Sequence, residues 1–278
     1  MTVFEALSLA HLQGLARIDA QLLLLHTLER THQDRSWLIV NDAFILSNSQ
    51  TDALQHLMRR RIDGEPIAYL IGHKSFYGLD LVVDARVLDP RDDTETLVDW
   101  ALDVLNDSNL DQARVLDLGT GSGAIALAIK SKVPSSMVTA ADQSSDALDV
   151  ARQNAHQLNI SINFVLSNWF SQLSSKFFDL IVCNPPYIAS KDTHLFALRH
   201  EPLNALVSGV DGLDDLREIC QQAPRHLCAG GVFLVEHGYD QAQDVAQLFE
   251  YNGFIQIQSR CDLAGITRCT GGVWQKVK

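Results

Sequence analysis

Arg114-Val115-Leu116-Asp117-Leu118-Gly119-Thr120-Gly121-Ser122-Gly123 reads as a strand running straight into a glycine-rich turn. The segment behind it, Ala124 to Lys130, is apolar at positions 125–129 and reads as a helix. Glycines let a backbone turn sharply and approach a ligand closely. A second strand, Met137 to Ala141, ends at Asp142, and an acid at that place can accept both hydroxyl protons of a ribose. Strand, turn, helix, strand and acid together make half of a nucleoside-cofactor site. The turn alone leaves the cofactor open. Gly119-x-Gly121-x-x-Ala124 satisfies the permissive dinucleotide fingerprint. Asp117 argues instead for a cationic methyl donor, because a carboxylate near the turn suits sulfonium and ammonium groups and repels a pyrophosphate. A glycine turn that only packs helix on strand is the third reading.

Working outward from the turn, strand and helix signals alternate. Strands are predicted at Val115–Asp117, Val138–Ala141, Ile162–Leu166, Leu180–Cys183 and Val232–Glu236. Helices are predicted at 94–105, 146–157, 214–227 and about 240–251. That rhythm specifies an α/β fold, a doubly wound, mostly parallel sheet. Gly253-Phe254-Ile255-Gln256-Ile257 and Gly272-Val273-Trp274-Gln275-Lys276-Val277 read as a terminal antiparallel hairpin, an addition that parallel sheets tolerate.

Asn184-Pro185-Pro186-Tyr187 follows the apolar run Phe178-Asp179-Leu180-Ile181-Val182-Cys183. It therefore sits where a buried central strand ends, the edge at which open α/β sheets bind ligands. The chemistry it suits is narrow. A planar –NH2 beside a carbonyl or ring is a poor nucleophile, since its lone pair is delocalised. The Asn184 oxygen and a backbone carbonyl can each accept one of its N–H bonds. Pro185 and Pro186 fix φ and contribute no backbone donors, and Tyr187 offers a face for stacking. The tetrad is a device for presenting an amide or amine nitrogen to an electrophile, and beside the glycine turn it favours the methyl-donor reading.

Composition narrows the classes. The chain of 278 residues is 46% hydrophobic and 20% charged, enough for one large or two modest domains. It has no apolar run long enough to span a membrane and no signal-like N-terminus, so a cytoplasmic location is the default expectation. The net charge of −12 lowers the expectation of a nucleic-acid partner, which calls for a basic surface. The five cysteines, Cys183, Cys220, Cys228, Cys261 and Cys269, form no C-x-x-C pair and the histidines are scattered. Free, mostly buried thiols are expected, and no metal site.

Residues 1 to about 75 carry helical periodicity. Asp19 is placed to cap a helix running through Leu22 to Leu25, and a second helix is predicted over Thr51 to Arg61. Arg59-Arg60-Arg61 is the strongest basic run, a solvated helix end or a contact for an acidic partner. Residues 74–90 alternate and suggest a short hairpin as a junction. The expected organisation is a helical domain over 1–75, a hairpin junction over 76–90 and a cofactor-binding domain over 91–278.

The chain resembles the protein-(glutamine-N5) methyltransferases that modify peptide chain release factors, the HemK family. The resemblance runs through Gly64-Glu65-Pro66, Phe76-Tyr77-Gly78, Pro90-Arg91 with Thr94-Glu95, Asp117 to Gly123, Asp142, Trp169-Phe170 and Asn184 to Tyr187. It ends with Glu201-Pro202, Asp211-Gly212-Leu213 and Glu236-His237-Gly238. It implies a Rossmann-like domain of seven strands behind a small helical domain, and methyl transfer from S-adenosylmethionine to a glutamine in a Gly-Gly-Gln loop of class I release factors. By resemblance, the backbone at Gly119, Thr120, Gly121, Ser122 and Gly123 holds the cofactor and Asp142 takes the ribose hydroxyls. Trp169 packs near the adenine, and Asn184 bridges cofactor and substrate. Pro185, Pro186 and Tyr187 complete the glutamine pocket, and the helical domain helps to bind the release factor. The chain departs from the family pattern at two places. Asp89 and Asp92 flank the Pro90-Arg91 pair, and Asn168 stands where an acid is common. An adenine-N6 or guanine-N2 methyltransferase shares the tetrad, and a nicotinamide oxidoreductase shares the glycine turn but does not require the tetrad.

Overall fold

A computed structural model describes residues 1–275 except 33, 109, 111 and 174–176. The chain forms two compact units, Met1–His73 and Lys74–Lys278. The first is all helix: α1 (Val3–Leu12), α2 (Arg17–Thr27), α3 (Arg35–Val40), α4 (Asn48–Ile62) and α5 (Ile67–Ile71). Two of these helices begin with reciprocal caps. The Thr2 hydroxyl accepts from the Glu5 amide while Glu5 accepts from the Thr2 amide, and Ser47 and Gln50 repeat the device at α4, satisfying donors that a helix start otherwise leaves orphaned. The core is a cluster around Leu23, Leu24, Leu25, Leu54 and Met58.

Asp19 does not cap α2, as its position had suggested. The cap residue is Ala16, and Asp19 lies in the first turn, where its carboxylate accepts from Arg61 Nε at 2.7 Å. Arg60 pairs with Glu65 in the same way. Two of the three arginines of the basic run thus bind within their own unit, while Arg59 is exposed.

The second unit opens with a two-stranded hairpin, β1 (His73–Phe76) and β2 (Leu79–Val82), which closes sooner than the alternation over 74–90 had suggested. A 3-10 turn, Asp92–Thr94, then leads into α6 (Glu95–Asp107). Next come β3 (Arg114–Leu118), α7 (Ala124–Lys132), β4 (Met137–Asp142), α8 (Ser145–Gln157), β5 (Asn163–Leu166) and β6 (Phe178–Cys183). The chain continues with α9 (Asp214–Gln222), β7 (Leu227–Glu236), α10 (Ala242–Tyr251), β8 (Phe254–Cys261) and β9 (Thr267–Trp274). The predicted helix over 214–227 stops at Gln222 because Pro224 follows, and proline removes the amide that an α-helix needs. Lys276 and Val277, assigned to the last strand from sequence, lie outside the described residues.

The seven strands are ordered β5-β4-β3-β6-β7-β9-β8. The first five are parallel, and β9 enters antiparallel between β7 and β8. Alternate side chains of β7 face opposite ways, as a pleated strand requires. Phe233 and Val235 join the cluster that includes Val245 and Phe249 of α10 and Ile219 of α9. Leu234 lies on the side of Trp100 in α6, where a Cβ added to Gly271 of β9 would fall 2.4 Å from Leu234 and 3.0 Å from the Trp100 ring. Strand order reverses between β3 and β6. The crevice beyond their C-terminal ends is the place where open α/β sheets bind ligands, and it receives both the glycine turn and the Asn184 tetrad.

Candidate active site

A cavity of about 900 Å³, open mouth included, lies at that reversal. Gly119, Thr120, Gly121, Ser122, Asp142, Trp169, Asn184 and Pro186 all line it. A second cavity of about 680 Å³ is walled by Pro185, Tyr187, Arg91 and, again, Asn184. Asn184 is thus shared between the two. Gly123 does not line either cavity; it stands at the start of α7 with φ +83°.

The glycine turn is built to be close to its contents. Gly119 has φ +78°, and a Cβ there would fall 3.3 Å from the Trp169 ring. Only glycine meets both demands at low cost. Trp169 itself takes φ +43°. Its Nε1 donates to Asp215 at 3.2 Å, and its carbonyl accepts from Ser167 Oγ at 2.7 Å. These bonds hold the indole over the turn.

Four of the five amides of the turn are already committed. Gly119 and Thr120 N–H donate to the Ala141 carbonyl, Gly123 N–H to the Thr120 carbonyl and Gly121 N–H to Asp142 Oδ2 at 2.9 Å. A pyrophosphate site works by offering free N–H groups. This turn offers a close contour and, beside it, the Asp142 carboxylate, in place of a set of free donors. Asp142 projects from the end of β4, and its two oxygens each accept one backbone N–H, from Gly121 and Ser144. Burial raises its pKa, and those amide bonds work against the rise. Each oxygen keeps a lone pair for a hydroxyl. The residues present therefore fit S-adenosylmethionine: an acid for its ribose, a close-approach turn and an aromatic wall.

Asp117 acts differently from the sequence expectation. It is fully buried and does not border the cavity. Its Oδ2 accepts from Thr120 Oγ1 at 2.6 Å and from the Ala126 amide at 3.1 Å, so it ties the turn to the first turn of α7. Burial pushes its pKa up to about 7, opposed by the Thr120 and Ala126 bonds.

Behind the tetrad stands a frame. Asn184 Nδ2 donates to Thr94 Oγ1 at 3.2 Å. Tyr187 borders the second cavity, and its Oη donates to Glu236 Oε1 at 3.3 Å. Burial and the Glu236 charge push the phenol well above its usual range. Gln241 accepts from the Gly238 amide at 2.8 Å and donates to the Tyr187 carbonyl at 3.1 Å. The chain after the tetrad is held by Ile188, which bonds to Leu206 and Ser208. His237 is buried, its Nδ1 donating to the Gly238 carbonyl and its Nε2 accepting from Thr270, with burial lowering its pKa.

The first departure from the family pattern, Asp89 and Asp92, is absorbed by ion pairs, and Asn168, the second, lines the cavity. Arg91 contacts Glu201 at 2.6 Å and Asp89 at 3.7 Å, and Asp92 pairs with Lys74 at 2.9 Å. Asn154, fully buried on α8, was not singled out from sequence. Its side chain binds the Val82 amide and carbonyl and the Ser122 carbonyl, joining β2 to the glycine turn. Thr94, Glu201 and Glu236 were visible only as parts of the family signature, which gave them no task.

Residues 95–204 match the methyltransferase small domain family, and residues 5–72 match the PrmC N-terminal domain. The chain is 45% identical over 271 residues, 96% of each chain, to the release factor glutamine methyltransferase of Xylella fastidiosa (strain Temecula1). It belongs to the release factor glutamine methyltransferase family. Its Escherichia coli K12 relative of the same name is 40% identical, again over 96% of each chain. Among solved structures, a methyltransferase from Pyrococcus furiosus superposes with a TM-score of 0.54 at 16% identity, covering 80% of this chain and 99% of its own. That likeness shows the fold alone. Among the described residues no helix is long and apolar enough to cross a membrane, and no group of three or more potential ligands could hold a metal ion.

Proposed function

We propose that the protein methylates the side-chain amide nitrogen, N5, of the glutamine in the Gly-Gly-Gln loop of class I peptide chain release factors, with S-adenosylmethionine as donor. The observation that carries the reading is the place of Asn184. One residue borders both the cavity lined by the glycine turn and Asp142 and the cavity walled by Pro185 and Tyr187. When bound, the cofactor supplies an electrophilic methyl group. The chain's own residues do the rest by binding and orientation.

Gly119 to Ser122, Asp142 and Trp169 form the cofactor side. Asn184 Oδ1 and a backbone carbonyl of the Pro-Pro segment accept the two amide N–H bonds of the substrate. This brings the nitrogen to attacking distance, about 3–3.5 Å, with the three reacting atoms in line. The acceptors also stabilise the positive charge that develops on nitrogen, an electrostatic contribution made by groups fixed beforehand. No strong base is needed early, because the nitrogen becomes acidic only once alkylated. The glycines of the substrate loop allow its backbone to approach the pocket closely.

Family membership supports the release factor as acceptor. The acidic chain, net charge −12, supports a protein partner over duplex DNA, which binds by counterion release to basic surfaces. Incubation of purified enzyme and release factor with methyl-labelled cofactor tests the reading. Label should enter the wild-type factor and be absent from a factor whose loop glutamine is replaced by alanine; equal labelling of both would refute the proposal.

A further inference from the structure

The Asn184 amide has two unlike ends, an oxygen that accepts and an –NH2 that donates. Amide transfer as proposed above needs the oxygen towards the substrate nitrogen. Among the described residues the side chain has one hydrogen-bond partner, Thr94 Oγ1. A hydroxyl serves equally as donor or acceptor, so Thr94 by itself leaves the orientation undecided. Its other neighbour decides it. Glu236 lies at the end of β7, one residue beyond the pairing of Cys183 with Val235, and is therefore level with Asn184 on the neighbouring strand.

We propose that Thr94 and Glu236 are positioning residues for amide methylation: the buried carboxylate takes the Thr94 proton, which leaves Thr94 only able to accept from Asn184 Nδ2 and so turns Asn184 Oδ1 to the substrate. The inference rests on the methyl-transfer reading above. Three observations carry it. Thr94 and Glu236 are 3% and 1% exposed, so neither can exchange its partner for water. Glu236 accepts directly from Tyr187 at one end of the tetrad, and its carboxylate lies beside Thr94, the residue that holds Asn184 at the other end. Its second oxygen, Oε2, has no hydrogen-bond partner among the described residues. A half-satisfied buried carboxylate is costly, and a neutral residue of the same volume would serve stability better. Its presence fits a task that needs an acceptor without a proton of its own.

The charged surroundings are mixed. Burial raises the Glu236 pKa to about 7, the Thr94 and Tyr187 hydroxyls and then Arg268 on β9 favour the ionised form, and Asp93 opposes it. Cys269 and His237 lie nearby as neutral groups, their pKa values displaced by burial. On protonation Glu236 can donate to Thr94, whose own proton then turns towards Asn184 and favours the flipped amide.

Steady-state kinetics on intact release factor test the inference with Thr94→Val, Thr94→Ser and Glu236→Gln, alongside calorimetry with S-adenosylmethionine. Thr94→Val keeps the shape and removes the hydroxyl. Glu236→Gln keeps the shape and adds a donor that reverses the chain. Both should lower kcat about tenfold or more, as for loss of a preorganised polar group, while cofactor affinity stays within about twofold and Thr94→Ser restores most of the rate. The wild type should lose kcat on acidification through about pH 7, and Glu236→Gln should lack that limb. Wild-type kcat in Thr94→Val, or cofactor affinity falling in step with kcat in both isosteric variants, would overturn the inference. A wild-type enzyme that leaves the glutamine unmodified would instead overturn the functional reading beneath it.

Discussion

Asp142 brings to the cavity a carboxylate that already holds the Gly121 and Ser144 amides. It is therefore rigid before any ligand arrives, and a ribose bound to it orders nothing further. Asp142→Ala should weaken S-adenosylmethionine binding by about 1.5–3 kcal/mol, the range for hydrogen bonds to a charged group. Calorimetry with unchanged affinity would contradict the ribose assignment. Asp117 yields a second prediction. Its folded pKa is raised, from 3.8 to about 7, so folding favours the protonated acid. Its contribution to stability is full below about pH 4 and disappears as pH rises through about 7. His237, held neutral with a lowered pKa, has the opposite dependence, so the informative quantity is a difference. Asp117→Asn, a neutral mimic, should gain in melting temperature relative to wild type as pH is raised from about 5 to about 8. A difference that does not change with pH would show that Asp117 is ionised throughout.

At the scale of elements, the turn after β3 and the loop after β6 are both held from behind by segments far away in sequence. Gly212 shows how tight the second frame is. It has φ +79°, and a Cβ there would fall 2.3 Å from the Tyr187 carbonyl and 2.8 Å from Gln241. Gly212→Ala should cost at least about 2 kcal/mol through the left-handed backbone and overpacking. It should also lower turnover more than cofactor affinity, because the displaced segment is the tetrad and not the glycine turn. Equal effects on both would argue against two separately held halves. This difference also explains what the sequence could reveal. The glycine turn, Asp142, the tetrad and the five parallel strands are local patterns, each written in a few consecutive residues. The Asn184–Thr94 bond spans 90 residues and the Tyr187–Glu236 bond 49, and no local period encodes a side-chain meeting of that kind. Asp19 misled for a related reason: an acid near a helix start suits a cap and an ion pair equally well, and only the position of Arg61 on α4 decides between them. Asp117 misled because a strand-end carboxylate can point into a cavity or beneath it.

For the molecule as a whole, two compact units raise the question of what the helical one contributes. A pocket that recognised only an amide would accept glutamine from many proteins, so specificity needs a second surface, and residues 1–73 are the unit that the amide chemistry leaves unused. A cut near residue 88 would remove Val82, which binds Asn154 behind the glycine turn. The informative truncation therefore begins at Lys74. That fragment should keep S-adenosylmethionine affinity and lose most activity on intact release factor. Full activity in the fragment would remove the helical unit from substrate recognition. The most direct test of the central claim is peptide mass spectrometry of a release factor after reaction with the full-length enzyme and S-adenosylmethionine. The account predicts a single added methyl group on the side chain of the Gly-Gly-Gln glutamine, lost when Asn184→Ala replaces the wild-type enzyme. A methyl group on any other residue, or undiminished modification by Asn184→Ala, would contradict it.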